Sequence, residues 1–401
     1  MDLRSGEAFW PIKNGLINTF PRLNQSMKAE VVILGGGITG ALIANEFSKR
    51  GIEVLILEKR EVGWGSTSAS TAMLQYEIDE DLCDLQDKIG TEQAVHAYKE
   101  GVEAINQLEK LCLSGENDCG FKKHPSLYIS RTEDDFKQLE KEFKARQKAG
   151  FAVSWLGGKE LNQTYGLRAE AAIKSEVAAV VDAYQLTHKL FNASVKRGVQ
   201  IFDKTEVVNI QKKAKGYSLK TSEGYEVEAG HLIFATGYES TNYLKQDVVD
   251  LKSTYALATE PLDVKKVVGG QYLMWEMARP YFYMRPTEDS RLLMGGEDIA
   301  FKNPKVREAA LSEKIEKICD KFRELYPDAP ALEVAFTWAG TFGETKDGLP
   351  YIGESPEWPQ ADFALGYGGN GITYSLLASK IIADRYQNIP NKDLKLYGFG
   401  R

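Results

Sequence analysis

The chain is 401 residues long, carries a formal charge of −7 and is 43% hydrophobic. That length exceeds one compact core and predicts two domains, while the ordinary apolar fraction excludes global disorder. The acidic balance and the lack of a basic block exclude nucleic acid as a partner, and pairs such as Lys212-Lys213 read as solvated faces.

Four cysteines (Cys83, Cys112, Cys119, Cys319) form no C-x-x-C pair and have no metal-ligand spacing. No metal site is expected, and the compartment should be reducing. The first 28 residues hold acids and two prolines but no apolar core, so no leader is expected. No apolar stretch is long enough to span a bilayer. A cytoplasmic protein is the expectation.

In chain order, residues 1–28 contain Phe9-Trp10-Pro11 and Phe20-Pro21 without periodicity and read as an extended arm. Val31-Val32-Ile33-Leu34 then reads as a buried strand. Gly35, Gly37 and Gly40 follow at the x-G-x-G-x-x-G spacing, a helix is predicted to Arg50, and a second apolar strand from Glu53 to Leu57. This is the β-turn-α-β unit of a dinucleotide site. Gly35 makes the tight turn, Gly37 lets a pyrophosphate approach the backbone, and Gly40 lets helix pack on strand. The free N–H groups at the helix start, around Ile38 and Thr39, face the phosphates. Glu58 lies eighteen residues after Gly40, where it can accept both hydroxyls of an adenosine ribose. Lys59 follows it.

The stretch from Gly63 to Gln75, with Gly65, Ser66, Thr67, Thr71 and Ala72, is dense in small hydroxyl residues. Such residues let backbone run close to a flat or charged ligand. Helical spacing covers Asp81 to Cys112 and Asp134 to Ala149, with a short strand at Leu127 to Ser130. Leu156 to Ala172 reads as a loop with a short helix. Ala183 to Arg197 is a predicted helix, followed by a strand and an antiparallel meander through Val207 and Val208. His231 to Phe234 is a buried strand ending in the small-residue turn Ala235-Thr236-Gly237. Further strands are predicted at Lys252 to Glu260, Gln271 to Trp275, Tyr281 to Arg285 and Arg291 to Gly295. Val306 to Tyr326 reads as one helix. The chain returns through Val334 to Gly340, and ends in a strand, a glycine loop and a helix to Tyr386. The last ten residues read as a loosely held tail. The four histidines read as surface or satisfied core.

Taken together, the motifs resemble the FAD-dependent D-amino-acid oxidase family, which includes glycine oxidase, sarcosine oxidase and related amine dehydrogenases. The resemblance covers residues 5–390. It rests on the fingerprint with Glu58, on Gly65-Ser66-Thr67, on Ala235-Thr236-Gly237, on Asp347-Gly348-Leu349-Pro350-x-Ile352-Gly353, and on Gly368-Gly369-Asn370-Gly371. It implies an α/β plus α+β protein: a Rossmann-like FAD-binding domain interleaved with a mostly antiparallel substrate-binding domain. The expected boundaries are an arm at 1–28, FAD-binding segments at 29–80, 176–245 and 335–390, substrate segments at 81–175 and 246–334, and a tail at 391–401. Expected FAD contacts are the residues named above together with Gly343, Asp347, Gly369, Asn370, Gly371, Ile372 and Thr373. The helix starting at Ile372 or Thr373 would aim its N–H groups at the flavin N1–C2=O edge.

The implied activity is oxidation of the C–N bond of a small amine or N-alkylated amino acid by hydride transfer to flavin N5. Tyr283, Arg285 and Trp338 are expected to line the substrate pocket, and Gln75 and Tyr76 are further candidates for it. Many family members carry an arginine shortly after the Trp-Ala-Gly that stands here as Trp338-Ala339-Gly340, and this chain has Phe342. Arg285 or Arg279 could replace it as a carboxylate clamp. A lysine that sarcosine-oxidase-like members hold near the flavin is Leu293 here, so efficient use of oxygen is not implied and the electron acceptor stays open. Neither residues 65–72 nor 341–347 contain His or Cys, so non-covalent FAD is expected. A nicotinamide dehydrogenase and a non-catalytic FAD-binding protein are the competing readings.

Overall fold

The structure is a computed structural model that describes residues 4–401. Two large sheets dominate it. The first has a parallel centre in which Val54–Leu57, Met27–Leu34, Glu226–Phe234 and Ala361–Leu365 lie side by side. Gln200–Phe202 extends it in parallel at one edge, and Tyr351–Glu354 closes the other edge antiparallel. The continuous apolar runs Val31-Val32-Ile33-Leu34 and Val54–Leu57 are what such a centre demands, because helices and loops cover both faces.

The helix Ile38–Lys49 buries nearly its whole surface and packs between the helices Ala183–Val195 and Gly371–Tyr386. Its apolar and small residues are buried on nearly every side, and Asn45 and Ser48 are bonded by Arg197, so it sits inside. Burial of Leu42, Ile43 and Phe47 contributes on the order of 2 kcal/mol each.

The second sheet has ten strands and is antiparallel apart from the pairing of Leu273–Glu276 with Lys122–Ser130. Its long strands Asp250–Thr259, Leu292–Ala300 and Val334–Glu344 pair in that region of the chain that reads as strands. One face packs on the core of the first sheet through Ala256, Ala258, Leu293 and Trp338. The other face, with Tyr255, Leu257, Leu292 and Met294, packs under the helix Leu311–Leu325. Strands Ala171–Val180 and Val334–Glu344 belong to this sheet and run across the boundaries expected near 176 and 335, and Met73–Gln75, from inside the segment expected at 29–80, belongs to it as well.

Several local expectations are corrected. The N-terminal arm holds a strand, Arg4–Gly6, paired with Val334–Glu344, and a helix, Phe9–Asn14, with Phe9 and Trp10 buried. Residues 1–3 of that arm lie outside the described residues. The single helix expected over 306–326 is two, Pro304–Ala309 and Leu311–Leu325, and the first is capped by the Asn303 side chain. The tail is anchored: Tyr397 is buried, and Arg401 donates to Asp347 and to the Leu349 and Pro350 carbonyls.

Candidate active site

One cavity of about 500 Å³ runs between the two sheets, from Glu58 at one end to Tyr283 and Trp275 at the other. Its first half is the fingerprint. Gly35 sits at φ +112°, and an added Cβ there would stand 2.3 Å from the Ala235 carbonyl oxygen. The Gly40 position is tighter still, with Gly35 O 2.0 Å from where a Cβ would be. Only glycine fits at either place. Glu58 is held by two backbone donors, Gly36 N–H at 2.6 Å and Arg60 N–H at 2.7 Å. Burial raises its carboxyl pKa against those donors. Beyond it, Lys59 pairs with Glu239 at 2.6 Å.

Two helix N-termini meet at the middle of the cavity. Ile38 N–H donates to Thr67 Oγ1 at 2.9 Å, and the Thr39 and Ser375 hydroxyls bond at 2.7 Å, tying the two helices together. Gly37 and Ile38 line the cavity from one helix, Gly371 and Ile372 from the other. Both ends present positive partial charge to whatever lies between them.

The hydroxyl-rich loop runs along the same wall. Three buried side chains hold its consecutive carbonyls: Trp338 Nε1–H donates to Ala69 O at 2.8 Å, Trp10 Nε1–H to Ser70 O at 2.7 Å, and Arg285 Nε–H to Thr71 O at 2.6 Å. With the carbonyls turned outward, the loop offers its small side chains to the cavity. Ser66 Oγ is buried without a hydrogen-bond partner, as a hydroxyl awaiting an acceptor would be.

Most residues expected at the cofactor line this cavity, namely Gly35, Gly37, Ile38, Thr39, Glu58, Lys59, Gly65, Ser66, Thr67, Thr71, Ala72, Val207, Ala235, Thr236, Gly237, Gly369, Gly371 and Ile372. Six do not. Gly40 serves helix packing, and Val208 points outward, 58% exposed. The space beside Gly343 is filled by Val249. Asp347 is engaged by Arg401 and by Leu349 N–H. Asn370 Nδ2 donates to the Gln75 and Glu77 carbonyls, and Thr373 Oγ1 donates to Asn370 O. These groups position the loops around the cavity.

Of the three expected substrate-pocket residues, only Tyr283 reaches the cavity. Burial, and after it the Asp298 charge, push its phenol up to about 12. Arg285 and Trp338 stand behind the loop. The Arg285 guanidinium also donates to the Val181 and Pro286 carbonyls, and burial pulls it down to about 9. Neither clamps a carboxylate, because every carbonyl they hold is backbone. Arg279 lies over the Tyr281 ring at 3.9 Å and donates to Asp79 O, outside the lining. Gln75 lines the cavity, and Tyr76 is stacked on Phe151 instead. Asp79, Tyr128, Thr254, Trp275 and Asp298, which no motif marks, line the far half. The glycine pair Gly295-Gly296 at the end of the predicted strand is the local sequence mark of a bulge there.

Fold and cavity together define a flavin-dependent oxidoreductase: a dinucleotide cradle opening without a break into a chamber walled by a second sheet. Residues 30–385 match the family described as FAD dependent oxidoreductase, and the chain belongs to that family. Among curated relatives, glycine oxidase of Bacillus licheniformis is 27% identical over 90% of this chain and 94% of its own length. Gamma-glutamylputrescine oxidoreductase of Escherichia coli K12 is 22% identical over 91% of this chain and 85% of its own. Glycine oxidase from Geobacillus kaustophilus superposes with a TM-score of 0.76 at 23% identity, covering 93% of this chain and 99% of that one. L-proline dehydrogenase from P. horikoshii gives 0.77 at 20% identity, covering 93% and 97%. The protein is therefore an FAD-dependent enzyme, and the nicotinamide and non-catalytic readings fall away.

Proposed function

We propose that this flavoenzyme oxidises the C–N bond of a small amine or N-alkylated amino acid. The observation that carries the reading is the continuity of the cavity: Glu58, Thr67, Gly371 and Tyr283 line one space. Bound there, FAD supplies a two-electron acceptor. Glu58 would accept from the ribose hydroxyls, and the N-terminus of Ile38–Lys49 with Ser66 and Thr67 would hold the pyrophosphate. The N-terminus of Gly371–Tyr386 would stabilise negative charge on the bound group. The substrate carbon gives up a hydride while the nitrogen lone pair closes a C=N bond, and water hydrolyses the imine to a carbonyl compound and an amine. What the chain contributes is position: Tyr283, Trp275 and Phe342 exclude water and hold the amine in line.

Neither His nor Cys occurs among the cavity-lining residues, which supports non-covalent FAD. No helix among the described residues is long and apolar enough to cross a membrane, and all four cysteines are unpaired, which supports a cytoplasmic setting. The test is an absorbance spectrum followed by an anaerobic screen of amines and amino acids. Flavin bands that bleach with an amine are expected, and readmitted air then distinguishes oxygen from another acceptor. A yellow protein that no amine or amino acid bleaches would sink the reading.

A further inference from the structure

The far half of the cavity carries an acid that the strand pattern alone would have buried elsewhere. In Leu292–Ala300 the register against Asp250–Thr259 slips: Gly296 faces Tyr255, but Ile299 faces Ser253, so the strand carries one extra residue. Gly296 at φ +129° and Glu297 at φ +56° make the bulge. Leu292 and Met294 precede it on the face under Leu311–Leu325, and Ile299 follows it on that same face. The extra residue thus reverses the alternation. Asp298, which simple alternation would send to that apolar face, lines the cavity instead. Glu297 is taken up by Lys314 and Lys321 on the covering helix.

Asp298 Oδ1 is buried without a hydrogen-bond partner. Asp79 lines the same chamber, and its Oδ2 accepts from Gly369 N–H at 2.9 Å. Tyr128, Trp275, Tyr281 and Tyr283 supply aromatic walls, and Tyr128 and Trp275 stack at 5.7 Å. The only cationic residues in the lining, Lys59 and Arg60, stand at the other end beside Glu239. Arg279 sits behind the Tyr281 ring, outside the lining, and is shared with Glu344. A lining of carboxylates and π-faces with no guanidinium in it favours a cation over a carboxylate.

We propose that this chamber takes a cationic amine lacking a carboxylate, with Asp298 as the anchor of its ammonium group and Asp79 as the second acidic contact for a dibasic substrate. This deepens the amine-oxidising reading and rests on it. A diamine meets both acids: one nitrogen gives its proton to solvent and its carbon then passes a hydride to the bound FAD as the C=N bond closes, while the other stays charged and fixes the distance. Burial holds the Asp298 carboxyl up to about 7, opposed by the Thr254 hydroxyl and aided by Asp79, and a bound ammonium restores its ionised form.

The experiment compares 1,4-diaminobutane with glycine and N-methylglycine in anaerobic bleaching of the FAD-loaded protein, wild type against Asp298→Asn. The diamine should be the better donor. The variant should need at least about tenfold more diamine for half-saturation, as loss of a charge-assisted contact implies, while its flavin spectrum stays unchanged. Equal half-saturation in the two proteins, or preference for either amino acid, overturns the proposal. If the amino acids bleach the protein and the diamine does not, the amine-oxidising reading survives and this one fails. If none bleaches it, the underlying reading itself fails. Should the variant not fold, titration of the wild type with tetramethylammonium and with acetate decides. The cation should perturb the flavin spectrum and acetate should not, and the reverse result would overturn the assignment.

Discussion

The two halves of the cavity are built by opposite means. At the nucleotide end, one short stretch of chain makes nearly everything: a strand, a turn that only glycine can follow, a helix N-terminus and an acid on the next strand. Its recognition groups are largely backbone, and its side chains are small. At the substrate end, the wall is assembled from Tyr128, Thr254, Trp275, Tyr281, Tyr283 and Asp298, which come from five strands of the ten-stranded sheet and the turn before one of them. There the recognition groups are large side chains, aimed by cross-strand register and by one bulge. A backbone-built end tolerates almost no change in covalent geometry. A register-built end can be retuned one side chain at a time, so a single scaffold can present many substrate chambers to one cofactor.

The sharpest way to break the contrast is at the rigid end. Gly35→Ala would combine a left-handed φ with a Cβ 2.3 Å from Ala235 O. A loss of about 4 kcal/mol is expected, together with loss of bound FAD, read as a colourless protein with a lowered melting temperature. A yellow, stable variant would show that the turn has slack the structure does not reveal.

Next in size is Arg285→Met. It removes a buried guanidinium from Thr71, Val181 and Pro286 carbonyls and should cost about 3 kcal/mol. Because Arg285 acts through the loop, half-saturation for substrates with and without a carboxylate should shift by the same factor. A selective loss with carboxylate-bearing substrates would restore Arg285 as a clamp. Trp338→Phe removes only the bond to Ala69 O and should cost about 1–2 kcal/mol, with weaker FAD retention as the second readout. No change in either would mean that Trp10 and Arg285 suffice to turn the loop.

How much was legible in the sequence follows the same division. The fingerprint, Glu58 and both glycine loops could be read because their geometry is local, closed within a few residues. Arg285 and Trp338 were read as pocket residues from strand and motif position, but which way a strand residue faces depends on neighbours far away in the chain. Phe9 and Trp10 read as part of an extended arm, whereas they lie in a short helix and are buried. Their burial depends on Arg4–Gly6 pairing with Val334–Glu344, more than 300 residues on, and no periodicity in so short a segment announces it. Asp298 was hidden for a further reason. Gly295-Gly296 signals a bulge, but the reversal of faces beyond it shows only in the register against Asp250–Thr259.

The smallest expected effect tests that reversal through stability. Asp298 shares its surroundings with Asp79, Glu344, Tyr283 and Arg279, and its carboxyl is raised to about 7, chiefly by burial. A raised carboxyl means that the folded protein holds a proton the unfolded chain has released. The folded state is therefore favoured at low pH and loses that advantage as pH climbs from about 4 through about 7. Asp298→Asn abolishes the titration without changing the shape. Relative to wild type, the variant should gain stability on going from pH 5 to pH 8, by about 1 kcal/mol or less once solvent in the open cavity is allowed for. Melting temperatures of both FAD-loaded proteins at the two pH values measure the difference. If the gap between them does not widen toward high pH, Asp298 is already ionised and solvated in the free protein. Its unpartnered oxygen would then be no reason to look for a cation.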